Sequence, residues 1–205
     1  DPQISRLGDG TWMALFGNGY NGDSGQSSLF VVDLETGTLI KEIQTGAGSA
    51  TSPNGLASVT VTSFPETDPV TRYAYGGDLL GNLWRFDLTG RVSNWSATKV
   101  FTAQSPAGNS QPITVAPRVA LNPNDSDELV VAFGTGSFLR SGDEGDYDIQ
   151  SLYAIKDDLN KSGLARSDLL EQTITKQESI SVSKASGNGS NSFIVRDTSG
   201  NSLTT

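Results

Sequence analysis

Oxygen ligands are the main chemical resource in this sequence. It contains no Cys and no His, which removes thiolate nucleophiles, Cys-ligated metals, and the commonest general base and transition-metal ligand. Carboxylates and amides gathered in turns remain. Asp143, Glu144, Asp146 and Asp148 form the densest acidic run, Asn122-Pro123-Asn124-Asp125-Ser126-Asp127-Glu128 places oxygens at alternating positions, and Asn21-Gly22-Asp23 is a shorter version of the same pattern. Hard oxygens in a tight turn suit Ca²⁺, which takes roughly 6 to 8 of them at about 2.3 to 2.6 Å. A charge run reads first as a solvated face. Asp143, Asp146 and Asp148 are therefore secondary cation candidates, and 122–128, with no Gly at its bend, reads as a solvated hairpin loop. Asp157-Asp158 falls in a predicted turn and points to no shared acid–base site. Asp78 and Asn82 flank Leu79-Leu80-Gly81, where capping of local backbone amides is expected rather than chemistry. Trp12, Trp84 and Trp95 are expected in the core rather than as stacking platforms. No residue is assigned a catalytic role.

The elements that would carry these turns recur. An apolar-aromatic-glycine step appears as Leu15-Phe16-Gly17, Ala74-Tyr75-Gly76 and Ala132-Phe133-Gly134, the glycines standing 59 and 58 residues apart. Each step leads through a Gly-rich turn and a loop of variable length into a second strand: Leu29-Phe30-Val31-Val32-Asp33, Leu83-Trp84-Arg85-Phe86-Asp87 and Leu152-Tyr153-Ala154-Ile155-Lys156-Asp157. In two copies a Thr-Gly turn, Thr36-Gly37 and Thr89-Gly90, returns the chain into a third strand near Leu39–Ile43 and Thr98–Phe101. A further strand precedes the glycine step, near Leu56–Ser63 and Ile113–Leu121. Four short strands per repeat make one blade of a β-propeller. The predicted class is all-β, a partial quinoprotein-like propeller of about three and a half blades, with repeats near 1–55, 56–112 and 113–175 and a weak partial blade over 176–205. In the polar, Ser-rich stretch from about Ser162, Leu169–Ile174 and Ser192–Val195 are predicted outer strands, and Thr198–Thr205 is predicted to dangle. Closed propellers use about 4 to 8 blades, so the remaining blades are expected elsewhere in a longer protein.

Composition agrees with this class. The chain has 205 residues, 23 of them Gly, with 35% hydrophobic and 18% charged residues, a mixture that suits short strands and many turns. The net charge of -9 disfavours phosphate backbones, so no nucleic-acid partner is expected. No stretch reaches the roughly 20 apolar residues of a spanning helix.

The segment Tyr75-Gly76-Gly77-Asp78-Leu79-Leu80-Gly81-Asn82-Leu83-Trp84-Arg85-Phe86-Asp87-Leu88 resembles the signature of the C-terminal propeller in the PilY/PilC family of type IV pilus proteins. Phe16-Gly17-Asn18-Gly19-Tyr20, Gln111-Pro112-Ile113-Thr114, Phe133-Gly134-Thr135-Gly136, Gln150-Ser151-Leu152-Tyr153 and Arg166-Ser167-Asp168-Leu169 follow in the family's order, so the resemblance spans about residues 12–175. It implies an exported, non-enzymatic protein at the pilus tip, cell surface or outer membrane of a bacterium. Such a protein supports pilus assembly against retraction, twitching motility and attachment. The implied partners are minor pilins, host or abiotic surfaces, and the remaining blades and N-terminal region of the same protein.

The family resemblance also implies a calcium loop in the turn before the signature strand. Its ligand positions fall on Phe64, Glu66, Asp68 and Arg72. A Phe supplies no oxygen and an Arg repels a cation, while Pro65 and Pro69 restrict the turn. No calcium is expected there, and no other cofactor. Two competing readings remain: a quinone-cofactor dehydrogenase, which shares the blade pattern and requires a calcium-bound quinone with a catalytic Asp, and an outer-membrane assembly scaffold built on the same kind of propeller.

Overall fold

The computed structural model describes residues 1–20, 22–65, 67–139, 141–172, 174–183 and 190–198. It is all-β apart from three single 3-10 turns among the described residues, at Val92–Asn94, Asp143–Gly145 and Arg166–Asp168. Two compact units result, Asp1–Arg166 and Ser167–Thr205.

The larger unit is three sheets, antiparallel except for one two-residue strand. The first runs β1 (Gln3–Arg6), β2 (Trp12–Gly17), β3 (Gln26–Asp33) and β4 (Leu39–Gly48) in simple meander order. The second runs β5 (Leu56–Thr62), β6 (Tyr73–Asp78), β7 (Asn82–Asp87) and β8 (Ser96–Thr102) in the same order, and a two-residue strand, β12 (Leu164–Ala165), joins β8 in parallel. The third contains β9 (Arg118–Asn122), β10 (Asp125–Gly134) and β11 (Leu152–Asp157). The smaller unit contains one hairpin, β13 (Ile174–Ser183) with β14 (Ser190–Thr198).

Period-2 alternation explains why the sheets stack rather than face water. In the first sheet Met13, Leu15, Leu29, Val31 and Ile43 turn one way and meet Leu56, Val59, Ala74, Trp84 and Phe86 of the second in one core cluster. The second sheet's opposite face carries Phe101, whose ring centroid lies 6.0 Å from that of Phe133 and 4.9 Å from that of Tyr153 on the third. Both blade seams are thus apolar and aromatic, and burial at roughly 25 cal/mol per Å² makes them the main stabilising term.

Several expectations need correction. Leu29, Leu83 and Leu152 pair with Gly17, Gly77 and Gly134, so the second-sheet equivalent of Gly17 is Gly77 rather than Gly76. The reason is packing on the next repeat: a Cβ on Gly17 would lie 2.3 Å from the Leu56 and Ala57 carbonyl oxygens, and one on Gly77 would lie 2.1 Å from Ile113 Cγ2. The strand expected over Ile113–Leu121 begins only at Arg118. Pro112 and Pro117 lack the N–H a ladder needs, and Ile113 makes just an isolated parallel bridge to Gly136. The strand expected over Leu169–Ile174 is absent from Leu169 to Gln172, which follow a 3-10 turn; Thr173 lies outside the described residues, as do 199–205 of the expected dangling end. Trp12 is 55% exposed, because it shares the face of β2 that turns away from the second sheet.

Candidate functional site

The buried carboxylates hold the sheets together. Asp78, at the end of β6, is fully buried. Its Oδ1 accepts the Leu80 and Asn82 amides at 3.0 and 2.9 Å, as the expected turn cap, and its Oδ2 accepts Trp84 Nε1 at 2.8 Å and Asn54 Nδ2 at 2.9 Å. Asn54 lies between the first two sheets and also donates to the Ala47 carbonyl, so this turn cap doubles as a tie to the first sheet. Asn18 makes a second tie, its Oδ1 accepting the amides of Ser28 and Leu56 at 3.1 and 3.0 Å.

Asp157 is the corresponding hub at the next seam, and the sequence did not reveal it. It ends β11, as the predicted strand Leu152–Asp157 has it, rather than belonging to the turn expected at Asp157-Asp158, and it is fully buried. Arg85 Nη1 donates to both its oxygens at 2.6 and 2.7 Å, and Tyr75 Oη donates to Oδ2 at 2.8 Å. Arg85 Nη2 also reaches the Leu159 carbonyl at 2.6 Å. Burial, then the Asp157 charge, pushes the Tyr75 phenol well above its ordinary value of 10.0. Asp158 merely accepts the Asn160 amide. Nearby, Gln111 Oε1 accepts Tyr153 Oη at 2.6 Å while its Nε2 donates to the Ile149 carbonyl at 2.6 Å.

The turn between β5 and β6 holds the predicted calcium positions. Phe64 is buried, Glu66 lies outside the described residues, and the Arg72 guanidinium occupies the oxygen-rich side of the turn. Arg72 Nη1 donates to Asp68 Oδ1 at 2.7 Å and to the Ser63 carbonyl at 3.2 Å, and Nη2 donates to Asp68 Oδ2 at 3.2 Å. These hydrogen bonds hold the Asp68 carboxyl below its ordinary value. A calcium ion would have to take those same oxygens from a guanidinium of like charge sign, so this donor set does not fit one.

The other acidic turns bond locally. Asp143 Oδ2 accepts Ser137 Oγ at 2.8 Å and the Leu139 amide at 2.7 Å, and Asp146 Oδ1 accepts the Asp148 amide at 2.9 Å. Among the described residues no three acidic side chains converge as a metal site. The segment 122–128 is only partly a solvated loop, because Asn122 and Glu128 are buried and bonded to each other at 2.7 Å, with Lys161 closing onto Glu128 at 2.9 Å. Asn21 of the shorter pattern lies outside the described residues.

One cavity of about 380 Å³ opens beside these turns, lined by Leu7, Asp9, Val70, Arg72, Leu88 and Trp95 among others. Asp9 at its rim caps its own turn, accepting the Thr11 amide at 2.9 Å. Trp84 and Trp95 both belong to the core, as expected.

Comparison with known proteins follows this geometry. The family model for the PilY1 β-propeller domain matches residues 1–186. A type IV pilus biogenesis factor PilY1 homolog from Xylella fastidiosa is 36% identical over 174 residues, covering 76% of this chain and 12% of the relative. Type IV pilus biogenesis factor PilY1 from Pseudomonas aeruginosa is 32% identical over 206 residues, covering 86% of this chain and 18% of the relative. The crystal structure of the Pseudomonas aeruginosa PilY1 C-terminal domain superposes with a TM-score of 0.82 at 30% identity, covering 98% of this chain and 45% of that one. The chain thus spans under one fifth of these curated relatives' length.

Proposed function

The chain belongs to the family of PilY1 β-propeller domains, and from that premise we propose that it acts without enzymatic turnover as the scaffold part of a type IV pilus biogenesis factor. The carrying observation is the use made of Asp78 and Asp157, the two fully buried carboxylates among the described residues. Both are saturated by hydrogen bonds, local amides and Trp84 plus Asn54 for Asp78, and Arg85 and Tyr75 of the neighbouring sheet for Asp157, so neither serves as a poised base over a substrate cavity. A rigid stack of blades suits the display of loops to pilus partners.

In this reading the protein works at the pilus tip or bacterial surface, where it supports assembly against retraction, twitching motility and attachment. Its partners are minor pilins and host or abiotic surfaces. The turn at 63–72 operates without calcium, the Arg72 guanidinium supplying the positive charge. Calorimetric titration of calcium into the wild-type chain and a Glu66→Ala, Asp68→Ala variant should give equal, absent heats; heat lost in the variant would refute the substitution of Arg for ion. For the function itself, an in-frame deletion should reduce surface pili counted by electron microscopy and slow twitching. Normal piliation, twitching and attachment would refute it.

A further inference from the structure

The third sheet lacks a strand that the first two possess. β3 is flanked by β4 and β7 by β8, whereas β11 occupies the equivalent place with no strand on its outer edge among the described residues. The phase of the ladders shows which groups this leaves open. Leu34 N donates to Trp12 O at 2.9 Å, Leu88 N to Arg72 O at 2.9 Å and Thr135 N to Ser151 O at 3.0 Å. Since residues along an antiparallel strand alternate in the direction of their hydrogen bonds, the amides of Leu29, Val31 and Asp33 point to β4, and those of Leu83, Arg85 and Asp87 point to β8. The amides of Leu152, Ala154 and Lys156 point the same way, to the open edge.

The following residues do not fill it, because they are drawn to the second sheet. Arg85 holds the Leu159 carbonyl at 2.6 Å, Gly163 N donates to Lys99 O at 2.8 Å, and Leu164 pairs in parallel with Phe101. The open edge adjoins an open face. Leu29 and Leu83 are fully buried, while Leu152 at the same position is 84% exposed; a Cβ on Gly134 would meet nothing within 4 Å, unlike one on Gly17 or Gly77. In the complete blades the residue opposite this leucine is Ile43 or Phe101.

We propose that β11 is a docking edge for an extended, antiparallel strand with an apolar residue opposite Leu152. The strand comes from a part of the same protein outside residues 1–205, so that this blade is not completed by the residues that directly follow β11. Two features favour that occupant: the edge is continuous with the face on which the two existing seams predict a further blade, and the matched relatives are several times longer than this chain. Main-chain hydrogen bonds supply the affinity and the pocket at Leu152 the register.

Amide hydrogen exchange, measured on the 205-residue chain and on the intact protein that carries it, tests this. In the chain the amides of Leu152, Ala154 and Lys156 should exchange at least about 100-fold faster than those of Leu83 and Arg85, and in the intact protein they should slow to match. Ala154→Pro removes an outward amide that the chain's own ladder does not use, so it should leave the chain's melting temperature unchanged while abolishing the slowing at Leu152 and Lys156 in the intact protein. If the proline variant fails to fold, Leu152→Asp, altering an exposed side chain, gives the same readout. Slow exchange in the 205-residue chain alone, fast exchange in the intact protein, or slowing that depends on protein concentration or on adding another protein would overturn the proposal.

Discussion

Removing the Asp157 carboxylate should unlock the seam between the second and third sheets. The side chains of Arg85 and Asp157 are 8% and 0% exposed, so Asp157→Ala leaves a guanidinium buried without its counter-charge. Breaking a buried pair from one side costs about 3 to 5 kcal/mol. Arg85 keeps the Leu159 carbonyl, while Tyr75 Oη loses its acceptor, so the estimate is near 4 kcal/mol on the scale of about 1 to 3 kcal/mol per stranded buried group. For a domain of this size that lowers the melting temperature by about 6 to 20 °C, readable by circular dichroism or calorimetry. The double variant Arg85→Met, Asp157→Leu removes both charges and should recover the part of the loss due to the unpaired guanidinium, because an apolar replacement of a buried pair is often neutral, while Tyr75 Oη and the Leu159 carbonyl stay unpaired. Should Asp157→Ala melt within about 2 °C of wild type, or the double variant fall below the single one, the ion pair does not hold this seam.

Three further outcomes follow from the same geometry. Asp78→Ala strands the Asn82 amide and Trp84 Nε1 and takes one acceptor from Asn54 Nδ2, and should cost at least about 3 kcal/mol in urea unfolding, with a shift in Trp84 fluorescence. Gly77→Ala drives a methyl into Ile113 and should destabilise by about 1 to 3 kcal/mol or more, whereas Gly134→Ala, with open space beside it, should cost under about 1 kcal/mol; thermal melts of the two separate a seam glycine from a free one. Tyr75 is favoured in its protonated form by folding, so the stability it contributes is present below pH 10.0 and lost as pH rises beyond it; Tyr75→Phe should flatten that alkaline decline in pH-dependent melts.

Local pattern carried most of the fold. The recurring Leu-aromatic strands at Leu29, Leu83 and Leu152 all form, because alternation and turn chemistry act over a few residues. The register of the glycine step was off by one in the second repeat, where Gly76-Gly77 offers two glycines and only contact with Ile113 selects the second. The Asp78 cap was legible because its partners lie within a few residues, at Leu80 and Asn82. Asp157 was not, because its partners Tyr75 and Arg85 are 82 and 72 residues away, and adjacency to Asp158 suggested a turn. The departure of 158–165 toward the second sheet was hidden for the same reason: its anchors, Arg85, Lys99 and Phe101, come from another blade.

Pilus number in a strain carrying a seam-breaking variant tests the central claim most directly. Gly77→Val wedges a branched side chain against Ile113 and should disrupt the blade stack without touching any surface loop. If the stacked blades are the working scaffold of a pilus biogenesis factor, this strain should lose surface pili to the level of the gene deletion, with the unfolded domain visible as protease sensitivity. Wild-type piliation from a strain whose domain is demonstrably unfolded would contradict the account.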